Sequence, residues 1–136
     1  MNVEIRDAQP APTEAEVLAV EDILGIKINA EFLKFIQRYN GGIPEPNIFK
    51  VSSNNDSDVA EFLEFNSIPD DLYPIKDELG SYIIPIAFDS CGNYICISNE
   101  QNDGEIYFFD HELPEGGALT KLAPSFAKFL DMIHPF

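Results

Sequence analysis

The spacing of the apolar residues changes near Pro46, and this change constrains the fold more than any other feature of the chain. Before Pro46 the apolar residues recur every three or four positions, as on one face of a helix. After it they form short β-branched or aromatic runs separated by Asn, Asp, Gly and Pro, which is typical of strands joined by turns. Helical spacing returns between Ser125 and Ile133. The sequence therefore predicts an α+β fold with two layers: a mainly antiparallel sheet of four to six strands, with helices packed on one side.

Three helices are predicted from their end signals and their apolar stripes. A Thr-x-x-Glu capping box begins at Thr13, and Gly25 supplies the stop for that helix. Asn29 caps a second helix, which we expect to end at Asn40-Gly41-Gly42, and Ser125 caps the third. The three apolar stripes consist of Val17, Val20, Ile23 and Leu24, then Phe32, Phe35, Ile36 and Tyr39, and finally Phe126, Phe129, Leu130 and Ile133.

Four or five strands are predicted between the second and third helices. They are Asn47 to Val51, Val59 to Phe65, Tyr82 to Phe88, Asn93 to Ser98 and Gly104 to Asp110. The segment from Asp89 to Asn93 is interpreted as a hairpin turn, and we expect a helical turn near residues 70–79. Residues 1–12 carry no periodicity and are expected to be a loose lead-in or an edge segment. We see no repeat and no linker, so the sequence predicts a single domain over residues 1–136.

Negative charge is the strongest compositional feature. Eight Lys and Arg stand against 24 Asp and Glu, which gives a formal net charge of −16. The stretch from Asn54 to Gly80 has Lys76 as its single base, and the stretch from Asn99 to Gly117 has no base. Such fields repel nucleic acids and anionic membranes and favour a cationic protein as partner. The competing interpretation is that the acids only keep the protein in solution and monomeric.

The cellular location is predicted from the termini and the cysteines. The first residues lack the basic start and the apolar stretch of a secretory signal, and no apolar run is long enough to span a membrane. Cys91 and Cys96 are too few for a disulfide framework and are interpreted as reduced thiols. We therefore expect a soluble, monomeric, cytoplasmic protein.

No pattern indicates catalysis or a bound cofactor. His111 and His134 have no nucleophile in a local pattern with them, and the chain has no Gly-rich phosphate loop, nucleophile elbow or HExxH. Cys91 and Cys96 with His111 lack the paired spacing of zinc sites. Residues 54–58 lack the Gly and the distal Glu of a calcium loop. We expect neither an enzyme nor a metal site.

Four segments occur in an order that is informative as a set. They are Asn40-Gly41-Gly42 after a helix, the strand-turn-strand from Ile83 to Ile97, the strand from Gly104 to Asp110, and Ala123 to Leu130. In this order and spacing they resemble the SUKH superfamily, also called the Smi/Knr type, and the resemblance spans nearly the whole chain.

The resemblance implies a role as an immunity protein. Bacterial members of this family bind and neutralise polymorphic toxins, often nucleases, so the implied partner is a cognate toxin with a cationic domain. A nuclease presents a cationic cleft to its polyanionic substrate, and a strongly acidic inhibitor can occupy such a cleft or its rim. Other members, chiefly fungal, are scaffolding or regulatory proteins of cell-wall assembly, and a module of that kind is the alternative.

The candidate partner surface combines aromatic and acidic residues. Tyr94, Tyr107 and Phe109 alternate with apolar neighbours, so they form an exposed aromatic surface if helices cover only the other sheet face. The acids assigned to this surface are Asp56, Asp58, Glu61, Glu64, Asp89, Asp110 and Glu112. Two alternatives stay open. Both sheet faces are covered and the rings belong to the core, or the acids of residues 56–64 are only a solvated loop and strand.

Overall fold

The computed structural model describes residues 3–113 and 119–136, and it confirms the α+β fold. Glu115, which belongs to the second acidic stretch, lies outside the described residues. The helices are α1 (Glu14–Leu24), α2 (Ala30–Arg38), α3 (Ile68–Leu72), α4 (Lys76–Leu79) and α5 (Phe126–Met132). The strands are β1 (Glu4–Arg6), β2 (Ile43–Glu45), β3 (Ile48–Ser52), β4 (Asn55–Asp58), β5 (Glu61–Phe62), β6 (Ile83–Phe88), β7 (Tyr94–Ser98), β8 (Ile106–Phe109) and β9 (Leu119–Ala123).

A five-stranded antiparallel sheet is the centre of the molecule. Its strand order is β5-β6-β7-β8-β9, so each strand pairs with its neighbour in sequence, as the short turns predict. Strands β1 and β2 form one small antiparallel pair, and β3 and β4 form another. The register sets Ile84 opposite Ile97 and Ile95 opposite Phe108, which places the apolar residues of three strands on one face.

The helix end signals act as predicted, with one difference. Thr13 forms a reciprocal capping box, and Gly25 ends α1 with a left-handed φ of 70°. The side chain of Asn29 accepts the Phe32 N–H at the start of α2. Helix α2 ends at Arg38, before the predicted stop, because Tyr39 is already extended. Gly42 instead serves a close approach, since a Cβ there would lie 2.7 Å from Cγ2 of Ile5 in β1.

The main core lies between one sheet face and α1, α2 and α5. The ring of Phe126 lies at the centre of its aromatic contacts, with centroids 5.3 Å from Phe32 and 6.3 Å from Phe62. The aromatic pairs hold α2 and α5 together over the sheet. This is the helical layer that the apolar stripes predict.

Helices are not confined to one side of the sheet, which corrects the prediction. Leu79 of α4 packs with Cys96 and Phe109 on the opposite face, and Leu72 and Ile75 lie beside them. The segment of residues 70–79, predicted as a helical turn, therefore covers apolar side chains that the alternation places on that face. A prediction from strand alternation identifies two apolar faces, but it does not say which short segment covers the second one.

The strands differ from the prediction at their polar ends. Strands β2, β4 and β9 were not predicted, and β1 forms within the segment expected to be a lead-in or an edge. The run from Val59 to Phe65 is a strand only at Glu61–Phe62, before a 3₁₀ turn at Phe65–Ser67. Strand β4 reads Asn-Asp-Ser-Asp and has no intrinsic strand preference. It forms because its partner β3 is anchored by Phe49, which is fully buried against Phe108 and Phe129. In the described residues no helix combines the length and the apolar character that crossing a membrane requires.

Candidate functional site

The candidate site is a cleft at one end of strands β6, β7 and β8. Because these strands are antiparallel, the end of β6, the start of β7 and the end of β8 lie together. The β3–β4 hairpin forms the facing wall. The cleft has a volume of about 390 Å³, and its described lining residues are Val51, Ser52, Asn55, Asp56, Ser57, Asp89, Cys91, Asn93, Phe108, Asp110, Leu113 and Thr120. We call this region the acidic end.

Asp89 organises the turn between β6 and β7. Its side chain is only 3% exposed, and both carboxylate oxygens accept hydrogen bonds. The N–H groups of Cys91 and Asn93 donate to Oδ1 at 2.9 and 2.7 Å, while Ser57 Oγ and Asn93 Nδ2 donate to Oδ2 at 2.8 and 3.0 Å. A buried carboxylate needs such donors because burial without them is costly. The Ser57 bond ties the β3–β4 hairpin to the central sheet.

Two further contacts hold the same region together. Asp58 accepts the N–H of Ser90 at 3.0 Å and also the Ser90 hydroxyl, which fixes the other side of the turn to β4. Asn93 Oδ1 accepts the His111 N–H at 3.1 Å and lies 2.6 Å from His111 Nδ1. The segment after β8 is thereby joined to the turn. Three chain segments meet through side chains rather than through sheet pairing.

The electrostatic character of the cleft is one-sided. Asp56, Asp89 and Asp110 line it, and its described lining contains no Lys or Arg. Asp56 is exposed, and the Asp110 side chain accepts the N–H of Glu112 in its own loop, at 3.0 Å. A cleft lined by charge of one sign concentrates its field and attracts counter-charge. The cleft is therefore suited to a cationic side chain.

The structure brings together about half of the residues predicted for the partner surface. Asp56, Asp89 and Asp110 line the cleft, Asp58 lies at its edge, and Glu112 is exposed beside it. Glu61 and Glu64 do not line it. Glu61 is exposed on β5, and Glu64 packs its Cγ beside Gly41, where a Cβ would lie 3.1 Å away. The two acidic stretches can be read from the sequence, but the sequence pattern does not show which of their carboxylates lie together at the cleft.

The aromatic surface expected from Tyr94, Tyr107 and Phe109 is corrected. Phe109 is 1% exposed because α4 covers it, and both tyrosines are half-buried at the same cluster. The Tyr94 hydroxyl donates to Asp71 of α3 at 2.8 Å, and desolvation together with this carboxylate raises the pKa of Tyr94 to about 12. Desolvation and the nearby Glu105 carboxylate likewise raise the pKa of Tyr107. The alternative that both sheet faces are covered is the correct one here.

Several residues of the site were not predicted from the sequence. Ser57, Asn93 and His111 form the connections just described, and none was assigned a role. An Asp at the start of a turn typically accepts the N–H two residues on, which is a local signal for the bond from Cys91 to Asp89. The partners of Ser57 and His111 lie 32 and 18 residues away and have no local signal.

The opposite end of the same strands has a different chemistry, and we call it the amide end. Asn99 Oδ1 accepts the buried Asn29 N–H at 2.7 Å, and Asn99 Nδ2 donates to the Tyr82 carbonyl at 3.0 Å. Asn102 Oδ1 accepts the Ala30 N–H at 2.8 Å, and Asn29 Nδ2 donates to the Asn102 carbonyl at 3.0 Å. Neutral amides therefore hold the start of α2 against the loop between β7 and β8.

Two further kinds of candidate site in the described part of the chain are metal-binding groups and reactive thiols. No group of three or more His, Cys, Asp or Glu side chains there is arranged to hold a metal ion. Both cysteines are free, Cys91 exposed and Cys96 buried, and burial raises the pKa of the Cys96 thiol above its ordinary value. That thiol is held in its unreactive neutral form.

Fold and site together define a class: a strongly acidic α+β protein in which short helices and a polar hairpin surround an antiparallel meander. The chain belongs to the SMI1 / KNR4 family (SUKH-1), whose model matches residues 11–132. The family resemblance predicted from the order of its segments is thus confirmed. No curated protein matches the chain.

Proposed function

We propose that this protein is an immunity protein that binds and neutralises a cationic toxin domain, with the acidic end as its contact surface. The observation that carries the proposal is the cleft itself. In a chain with a net charge of −16, three carboxylates line a cleft in which the described lining holds no base. Membership of the SMI1 / KNR4 family supports a protein as the partner.

Electrostatics explain how such a surface would act. A one-sign field steers an oppositely charged partner toward the correct face and raises the association rate more than the intrinsic affinity. Fast capture suits an inhibitor that must reach a toxin before the toxin reaches its target. A nuclease fits this chemistry because its active cleft is cationic, so the acidic end would compete with the nucleic-acid backbone for the same groups.

The mode of action in this proposal is binding, without a chemical step. Asp58 and Asp89 direct their oxygens to donors inside the molecule, which makes them poor candidates for proton transfer to a substrate. The protein would act in the cytoplasm as a monomer, since molecules of this charge repel one another. A regulatory or scaffolding module of the same family is the competing function.

The test is capture followed by a protection assay. Tagged protein is used to recover partners from native lysate at low and at physiological salt, and the bound proteins are identified by mass. We expect one basic protein whose recovery falls as salt rises. Its gene is then expressed alone and together with this chain.

Toxicity when the partner is expressed alone, with growth restored by co-expression, is the expected result. A partner that is harmless alone, or recovery of envelope or signalling proteins only, would favour the regulatory module instead. An Asp56→Asn, Asp110→Asn variant removes two negative charges from the cleft and tests its role in binding. Its matched control is Glu14→Gln with Asp22→Asn, which removes two negative charges from the exposed side of α1.

A further inference from the structure

The β3–β4 hairpin is joined to the central sheet at its base, where Ser57 and Asp58 lie opposite Phe49 and Ile48. Phe49 anchors β3 in the core, but β4 is polar, and its contacts with the β6–β7 turn are those of Ser57 and Asp58. The sheet hydrogen bonds of β4 run only to β3 within the described residues. Phe49 and the hydrogen bond from the Ala60 N–H to the Phe88 carbonyl, at 2.9 Å, hold the base of the hairpin in place. The separation of the cleft walls toward the hairpin tip depends in addition on the bonds that the turn makes to β4.

Asp89 occupies the centre of this attachment. It is buried, it accepts four hydrogen bonds, and these come from both the turn and β4. Its bond with Asn93 extends to His111 beyond β8, because Asn93 Oδ1 accepts the His111 N–H. One carboxylate thus links the hairpin, the turn and the segment after β8.

We propose that Asp89 is a positioning residue, one that fixes the width of the cleft and does not itself contact the partner. This inference rests on the proposed function for its biological meaning, but its physical content concerns the unbound protein. With both oxygens of Asp89 satisfied inside the molecule, the lining carboxylates left for a cationic side chain are Asp56 and Asp110. A cleft held at a fixed width is preorganised and loses less conformational entropy on binding.

The substitution Asp89→Asn changes the hydrogen bonds of this side chain while keeping its size and shape. An Asn at this position keeps one oxygen for the Cys91 and Asn93 N–H groups but presents an amide donor to the Asn93 amide donor. Exchanging the pair, Asp89→Asn with Asn93→Asp, restores a donor facing an acceptor and leaves the net charge unchanged. The new carboxylate at position 93 can still accept the His111 N–H.

The experiment measures the distance between spin labels on the two walls by electron–electron double resonance, without any partner. Labels are placed at Ser53 in the hairpin turn and at Thr120 on β9, both exposed. The background carries Cys91→Ser, which keeps the N–H that Asp89 accepts, and Cys96 is too buried to react. Wild type should give one narrow distance distribution.

Asp89→Asn and Ser57→Ala should each broaden the distribution toward longer distances, and the Asp89/Asn93 exchange should narrow it again. Asp56→Asn removes the same charge without removing a side-chain hydrogen bond from the turn, so it should leave the distribution narrow. Asn99→Ala lowers stability at the amide end and should also leave it narrow. Should Asp89→Asn fail to fold, Ser57→Ala tests the same link with no change in charge.

The proposal is overturned if Ser57→Ala and a folded Asp89→Asn keep the narrow wild-type distribution. It is equally overturned if Asn99→Ala broadens the distribution as much as they do, because the effect would then report general destabilisation. Neither outcome bears on whether a cationic toxin is the partner, which the capture and protection assay decides separately.

Discussion

The two ends of strands β6, β7 and β8 differ in the side chains that hold their loops in place. At both ends, side chains must accept backbone N–H groups and hold a loop against the sheet. The amide end joins its loop to α2 through Asn29, Asn99 and Asn102, with Asp103 bonded inside the loop, whereas the acidic end uses Asp58 and Asp89. Neutral amides satisfy buried donors with a smaller desolvation cost than carboxylates do.

The comparison shows which part of the acidic end the fold requires. Asp89 accepts backbone N–H groups at the acidic end, as the Asn99 side chain does at the amide end, and it is buried like Asn29 and Asn99. Asp56 is exposed, and the Asp110 side chain accepts an N–H of its own loop, so in the described part of the chain neither carboxylate joins distant segments. Negative charge that the fold does not use is consistent with selection for binding, which is the basis of the proposed function.

The largest expected effect lies at the amide end. Asn99→Ala would leave the buried Asn29 N–H without an acceptor and the Tyr82 carbonyl without its side-chain donor. An unsatisfied buried group costs about 1–3 kcal/mol, and we expect a loss near the top of that range. Urea unfolding at neutral pH measures it, with the exposed Lys27→Ala as control. A loss as small as that of the control would remove the structural role given to the amide end.

Asp89→Ala should destabilise the protein less than Asn99→Ala does. It removes four hydrogen bonds, but the freed Cys91 and Asn93 groups lie near the surface and regain water. The variant also relieves one unit of self-repulsion. We expect about 1–2 kcal/mol in the same urea experiment. If Asp89→Ala lowered the free energy of unfolding more than Asn99→Ala does, the acidic end would contribute more to stability than the amide end.

Tyr94→Phe tests the covered sheet face next to the acidic end. At pH 7 it removes the bond to Asp71 and should cost about 0.5–1.5 kcal/mol. The folded-state pKa of Tyr94, about 12, lies above its ordinary value of 10.0, so the fold favours the neutral phenol. That contribution is complete below pH 10 and is lost as the pH rises from 10 toward 12.

Unfolding free energies of wild type and Tyr94→Phe should therefore converge over that alkaline range. Curves that stay parallel from pH 8 to 12 would show that the Tyr94 hydroxyl is solvated and that α3 does not hold it.

The smallest effect on stability is expected for Asp56→Asn combined with Asp110→Asn. Both carboxylates lie at the cleft, and among the described residues neither holds another segment, so the change in the free energy of unfolding should stay within about 0.5 kcal/mol. Its direction should be stabilising, because the chain loses two of its excess negative charges. Thermal unfolding at low salt checks both. A clear loss of stability would assign these two carboxylates to the fold.

The sequence predicts the parts of this structure that depend on local patterns. The caps at Thr13, Asn29 and Ser125 and the strands β6 to β8 follow from short-range spacing, and each lies where predicted. The α3–α4 cover over Phe109 was not predicted, because the residues that bury a sheet face can come from any distant segment. The meeting of the cleft residues could not be predicted for the same reason, since Ser57 and Asp89 are bonded but lie 32 positions apart in the sequence.

The central claim is that the acidic end captures a cationic partner. The most direct measurement compares recovery of the basic partner from native lysate by three proteins at physiological salt: wild type, the Asp56→Asn, Asp110→Asn variant, and the Glu14→Gln, Asp22→Asn control on α1. We expect strong recovery by wild type and by the control, and a marked loss for the variant at the acidic end. Equal recovery by the two variants would show that net charge alone, or another surface, binds the partner, and that the acidic end is not the contact surface.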